Sequence, residues 1–181
     1  MTFPPTNTEQ LYYEGDSAFY RSEDDTHATW IRLSEQTIDG HELNLWGSGG
    51  PKFTDVDQGS IDDAWFMAAL QAYAMAGKVE GNFLNIEFSD IGIYAVKLYP
   101  LGVPVTIVVD DLIPNYRFTD VPLFAKSAEH NSVWPIIMEK ALAKLHGNYS
   151  RLAGGLGSEG VSYLNGSPFE ILESHSTTER G

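Results

Sequence analysis

The spacing of apolar and polar positions changes several times along this chain, and each change marks a predicted element. The run Ala64–Met75 consists of strong helix formers and is apolar on nearly every side. A helix that is apolar all round is a buried one, so the pattern predicts a central buried helix here. Asp62 and Asp63 stand just before it, where a carboxylate can cap free N–H groups and meet the positive end of the helix dipole. Gly77 supplies a stop signal. A second helix is predicted over Ser132–His146, packed on the first, from Trp134, Ile137, Met138, Ala141 and Leu145 at helical spacing. Pro135 falls in its first turn, where proline is tolerated.

Between the helices, Gly92–Tyr99 and Val103–Asp110 read as two strands joined by a turn at Pro100–Gly102. Residues 29–46 alternate through Trp30, Ile31 and Leu33, then Leu43, Leu45 and Trp46, as strand pieces around a turn at Asp39-Gly40. Gly47–Pro51 is a loop, and residues 111–131 are loops with short extended pieces. Residues 1–28 read as an extended arm with Tyr12, Tyr13, Phe19 and Tyr20. Beyond Gly147 the chain turns glycine-rich, and its polar end from Glu173 reads as frayed. The expected organisation is an arm and strand region over 1–47, a lobe over 48–166, and a tail or the start of a further lobe over 167–181. The fold class is α+β.

Composition narrows the function classes. The chain has 181 residues, 43% of them hydrophobic, which suits a folded domain with a core. Its net charge of −14 argues against nucleic acid, since phosphate binding needs clustered lysine and arginine. The ordinary reading of that charge is a well-solvated acidic surface. There is no cysteine, which removes disulfides, thiolate metal sites and cysteine nucleophiles together and suits an intracellular protein. No apolar run is long enough to cross a bilayer, and Met1–Asp16 has no secretory pattern.

Three blocks then carry a specific resemblance. Gln58-Gly-Ser-Ile-Asp-Asp-Ala64-Trp65 opens the first helix. Val108-Val-Asp-Asp-Leu-Ile-Pro114 ends the second strand of the pair. Ser127-Ala-Glu129, Trp134, Glu139-Lys-Ala-Leu-Ala-Lys144, Gly147-Asn-Tyr149 and Leu152-Ala-Gly-Gly155 come next, in order. Together they resemble the protease core of the calpain family over roughly residues 48–172. The first block is similar to that family's active-site segment, with alanine at position 64 where the family has its nucleophilic cysteine.

The resemblance implies a papain-like first lobe, with a central buried helix, a second helix and a small antiparallel sheet. It implies that Gln58 and the N–H of residue 64 take the place of an oxyanion hole, in keeping with donors aimed at developing charge. A helix N-terminus also suits a thiolate at that position. It implies that Trp65, Gly154 and Gly155 line a substrate or partner surface, where glycine lets another backbone approach closely. The catalytic histidine and asparagine would come from a second lobe beginning around Gly166. None of His27, His41, His130, His146 and His175 matches the family's catalytic position.

For calcium, the resemblance assigns the Asp55 carboxylate and the Gly50 carbonyl, with Ser132 where the family has a second carboxylate. A hard cation that takes about six to eight oxygens loses much by that exchange. The expectation is therefore no cofactor, or calcium held weakly at a degenerate site.

The leading functional expectation is a catalytically inactive calpain-like domain acting as a scaffold or protein-binding module. Degenerate relatives in ciliary and cytoskeletal assemblies point to a cytoplasmic setting of that kind. A protein partner, or a separate second lobe, would cover the active-site face. The alternative is a fragment of an active calcium-dependent calpain-type cysteine endopeptidase with an engineered change of cysteine to alanine. The third is an unrelated acidic binding domain.

Overall fold

The structure is a computed structural model, and it describes residues 28–38, 41–84, 91–127 and 131–171. The arm at 1–27, the turn at Asp39-Gly40 and the polar end lie outside the described residues, as do Ala128 and Glu129 of the third sequence block.

Among the described residues the strands are β1 (Thr29–Arg32), β2 (Thr37–Ile38), β3 (His41–Glu42), β4 (Val56–Asp57), β5 (Ile93–Leu98), β6 (Val105–Asp110), β7 (Leu112–Asn115) and β8 (Lys126–Ser127). The helices are α1 (Ala64–Met75), α2 (Trp134–His146) and α3 (Gly157–Asn165). The strands form antiparallel pairs, β1 with β7, β2 with β3, β4 with β8 and β5 with β6. The mixed architecture, helices with small antiparallel pairs, is consistent with a calpain protease core.

The β5–β6 hairpin runs in register from Ile93 opposite Asp110 to Leu98 opposite Val105. Its turn, Pro100–Gly102, is a single 3-10 turn in which Leu101 takes φ 51 and is fully exposed. The hairpin lies against α2, where the Lys144 ammonium donates to the Val108 carbonyl at 2.6 Å.

The central element is α2, not α1. Every residue from Trp134 to Ala143 is buried, Glu139 and Lys140 included. The helix begins where the N–H groups of Val133 and Trp134 donate to the carbonyls of Asn44 and Leu45, at 3.0 and 3.1 Å. It ends at Gly147, whose φ of 106 suits only glycine. Leu33 and Leu45 join the same core, and β1 pairs with β7, so the described residues up to 47 pack with the lobe that begins at 48.

Helix α1 has the predicted bounds but is buried on one side only. Phe66, Met67, Ala69, Leu70 and Ala74 face the core, while Ala64, Ala68, Gln71, Ala72 and Met75 form an open stripe. The expectation of burial all round fails because an apolar face needs a cover, and the described residues supply none here. Its main helical neighbour is α3 rather than α2. Helix α3 is not legible in the sequence, where glycines obscure it. Gly160 allows the close approach, since a Cβ there would sit 2.7 Å from the Ala69 Cβ. Among the described residues no helix is long and apolar enough to cross a membrane.

Candidate functional site

Position 64 is the first residue of α1, and it is exposed. The N–H groups of Phe66 and Met67 donate back to the Asp63 carbonyl at 2.8 and 3.1 Å, closing the first turn. The Ala64 N–H precedes any possible intrahelical bond, as helix geometry requires. The loop before it is tightly shaped. A Cβ on Gly59 would land within the backbone of Phe124. Ser60 donates its N–H and its hydroxyl to the Leu123 carbonyl, at 3.0 and 2.9 Å. Gln58 is exposed, and its side-chain amide donates to the Ile61 carbonyl at 2.7 Å. One amide hydrogen therefore braces the loop, and the group has a second one to offer.

Trp65 is half-buried beneath the Gly154-Gly155 loop. Its indole N–H donates to the Leu152 carbonyl at 2.7 Å. A Cβ on Gly155 would sit 2.6 Å from its ring, so glycine is required there. The Gly154 N–H donates to the Asp62 carbonyl at 2.8 Å, tying the loop to the start of α1. The ring also packs against Phe66 and Tyr163, with centroids 5.7 and 6.3 Å away. Gly154 and Gly155 are exposed as a partner surface requires, but Trp65 supports the loop rather than presenting an open apolar patch. Exposed apolar atoms are found instead on the α1 stripe, where Met75 is 73% exposed, and at Leu156 just after the glycine loop.

The proposed calcium ligands are spoken for differently. Asp55 is fully buried. Its Oδ2 accepts from the Lys52 N–H and from the Trp134 indole N–H, both at 2.8 Å. Ser132 is buried where a second carboxylate would stand. In the loop that contains Gly50, the Lys52 ammonium donates to the Ser48 carbonyl at 3.2 Å, placing a cationic head among the loop carbonyls. Among the described residues no three histidines, aspartates or glutamates gather to hold a metal ion. This donor set does not fit calcium, which needs converging anionic oxygens.

Two acidic residues near position 64 take roles that the sequence does not announce. Asp63 is expected to cap α1, yet its side chain makes no cap bond. It turns inward instead, fully buried, toward the buried Glu139 of α2. Burial raises the Asp63 carboxyl to about 6, against an interaction with Glu139 that acts to lower it. Burial raises Glu139 well above its ordinary value, and the neighbouring Asp63 charge adds to that. The only legible signal is a Glu-Lys pair inside a helix with apolar residues on every side.

The adjacent pair Asp110-Asp111 is structural. Asp110 takes the Lys140 ammonium, and Asp111 takes the Arg32 guanidinium and the Ser34 hydroxyl. Of the histidines, His41 is exposed on β3. His146 ends α2 against the Tyr163 ring, centroids 5.4 Å apart, and burial lowers its pKa. His27, His130 and His175 lie outside the described residues.

Comparison with known proteins gives the family. The pattern of the calpain family of cysteine proteases matches residues 1–180. The calpain-type cysteine protease DEK1 of Zea mays is 37% identical over 129 residues, which are 71% of this chain and 6% of that protein. The DEK1 of Arabidopsis thaliana is 32% identical over 148 residues, 80% of this chain and 7% of that protein. Calpain-9 of Homo sapiens is 29% identical over 181 residues, 98% of this chain and 24% of that protein. The chain thus spans a small part of each of these relatives. With residues 1–180 matched by that family's pattern, this chain belongs to the calpain family of cysteine proteases.

Proposed function

We propose that this chain is a catalytically silent, papain-like first lobe of a calpain core, serving as a scaffold or protein-binding module. The observation that carries this reading is Ala64. It is exposed at the first position of α1, where the family segment puts its nucleophile, and a methyl group cannot attack a carbonyl. What remains at that place is a surface. Ala64, Ala68, Ala72 and Met75 lie open along α1, and Gln58, Gly154 and Gly155 are exposed too. Its occupant is another protein chain or a separate second-lobe polypeptide. The net charge of −14 favours a partner with a basic rim.

A second reading draws on the names of the relatives, which call them cysteine proteases. In it, the chain is a piece of an active calcium-dependent endopeptidase carrying alanine in place of cysteine. Reading codon 64 in the natural gene separates the two.

The function itself is tested by two measurements on this chain. Ala64→Cys alone should cleave no peptide, because the resemblance places the catalytic base on a second lobe. Peptide hydrolysis by that variant, with nothing added, overturns the silent-lobe reading. Photo-cross-linking from position 68 or 75 in the native assembly should capture a protein partner on the α1 face. An α1 face that stays free of cross-links in the assembled state removes the support for a docking role.

A further inference from the structure

The buried acids beside position 64 have a consequence for the site. Asp63 and Glu139 are both essentially inaccessible to water. Among the described residues, neither Asp63 oxygen meets an N–H or a hydroxyl group. Both Glu139 oxygens face a single donor, the Ala125 N–H, at 3.0 and 3.2 Å. The two carboxyl groups interact with each other, and no cation is among the groups that act on either.

Three lysines on or near α2 turn elsewhere. The Lys140 ammonium goes to Asp110 and the Leu112 carbonyl, Lys144 goes to the Val108 carbonyl, and Lys126 lies over the Tyr116 ring. Asp62 and the buried Tyr149 also interact with the pair, and neither is cationic. Two carboxylates buried together without a counter-charge cannot both ionise. A hydrogen bond between them needs one of them to be the donor.

The pair also sits where both halves of the candidate site are anchored. Asp63 is bonded directly to residue 64. Glu139 holds the Ala125 N–H, and the residues just before Ala125 shape the loop that carries Gln58. Leu123 accepts both Ser60 bonds, and Gly59 presses against the Phe124 backbone. Just after it, Lys126 and Ser127 pair with Asp57 and Val56.

We propose that Asp63 and Glu139 share one proton across the α1–α2 contact, and that this proton positions the Gln58–Ala64 face. While the proton stays, one hydrogen bond ties the start of α1 to the residue that anchors the Gln58 loop. When it leaves, two buried anions repel and the two halves of the face loosen together. Asp63 and Glu139 are positioning residues, since neither is exposed on the face. The shared proton rests on the burial of both groups, on the unpartnered Asp63 oxygens and on the interaction between the two carboxyls. Its importance for a partner rests on the docking role proposed above.

Carboxyl-detected NMR of the wild-type chain, titrated from about pH 5 to about pH 9, tests both parts. The Asp63 and Glu139 carboxyl carbons should titrate together, above the ordinary carboxylate range. The Ala64 backbone amide and the Gln58 side-chain amide should shift with the same midpoint. Asp63→Asn supplies a permanent donor to Glu139 and should lose the pH-dependent shift at Ala64 and Gln58. Glu139→Gln keeps an acceptor for the Ala125 N–H and should lose it as well.

Carboxyl carbons that titrate in the ordinary range overturn the shared proton. Carboxyl carbons that titrate high while Ala64 and Gln58 stay still overturn the positioning role. If either variant fails to fold, the wild-type titration decides both points. No partner is needed for these readings, so a failed docking role would leave them unchanged.

Discussion

At Gly59 the loop before α1 crosses the backbone of Phe124 with no room for a methyl group. Overpacking a fixed backbone contact costs about 1–3 kcal/mol, so Gly59→Ala should lower stability to urea by about 3 kcal/mol. A change under about 0.5 kcal/mol, the size of a neutral surface substitution, would mean that the loop is free to move. Asp55 makes a different residue-scale argument. Its carboxylate serves two donors, the Lys52 N–H and the buried Trp134 indole. Asp55→Ala strands both and should cost about 3 kcal/mol, the upper range for hydrogen bonds to a charged group. The loss should be equal in calcium and in chelator, measured by paired urea melts. A loss that appears only with calcium would make Asp55 a metal ligand instead of a cap.

Two faces of α1 behave differently as elements. Toward α3, Gly160 meets Ala69 at a distance that leaves no space for a side chain. Gly160→Val should push the helices apart and cost about 2 kcal/mol, read from thermal melts. On the other face, Ala68, Ala72 and Met75 are exposed among the described residues. Met75→Lys should leave stability within about 0.5 kcal/mol and weaken capture of the partner by the native assembly. A variant that unfolds, or one that binds the partner as before, would remove the stripe from the docking surface. An apolar helix keeps an open face when its apolar residues exceed what the core can cover.

For the whole molecule, charge and protonation act in the same direction. A net charge of −14 in a chain of this size repels itself at low ionic strength. Raising salt from about 0.01 M to about 0.15 M shortens the screening length from about 30 Å to about 8 Å. The melting temperature should rise accordingly, and a fall would mean that attractive pairs dominate. The pH dependence comes from Asp63 and Glu139. Both carboxyls are raised in the folded state, Asp63 to about 6. The folded state then binds more protons than the unfolded one. The stability this confers is complete below the unfolded values of about 4 and is lost as pH rises through the folded values. Wild-type stability should fall from about pH 5 to about pH 8, and Asp63→Asn should flatten that slope. Equal slopes in the two proteins would assign the pH dependence to surface charge.

Local pattern alone determined a good deal here. The bounds of α1, the β5–β6 hairpin with its turn at Pro100–Gly102 and the helix that became α2 all come from propensity and period within short stretches of sequence. So does the resemblance of Gln58–Trp65 to the family's active-site segment, because a motif is a property of neighbours in sequence. Tertiary structure decided which apolar faces were covered. It made α2 the central helix and left a stripe of α1 open, since period marks a face as apolar without naming what lies against it. It turned Asp63 away from the cap expected of it, toward a glutamate far along the chain. It gave Asp55 to an indole and a backbone N–H, and slid Trp65 beneath a glycine loop. Each of these outcomes depends on a partner distant in sequence. The free energy of a buried carboxyl or ring is set by what surrounds it in space, and only the folded chain supplies that.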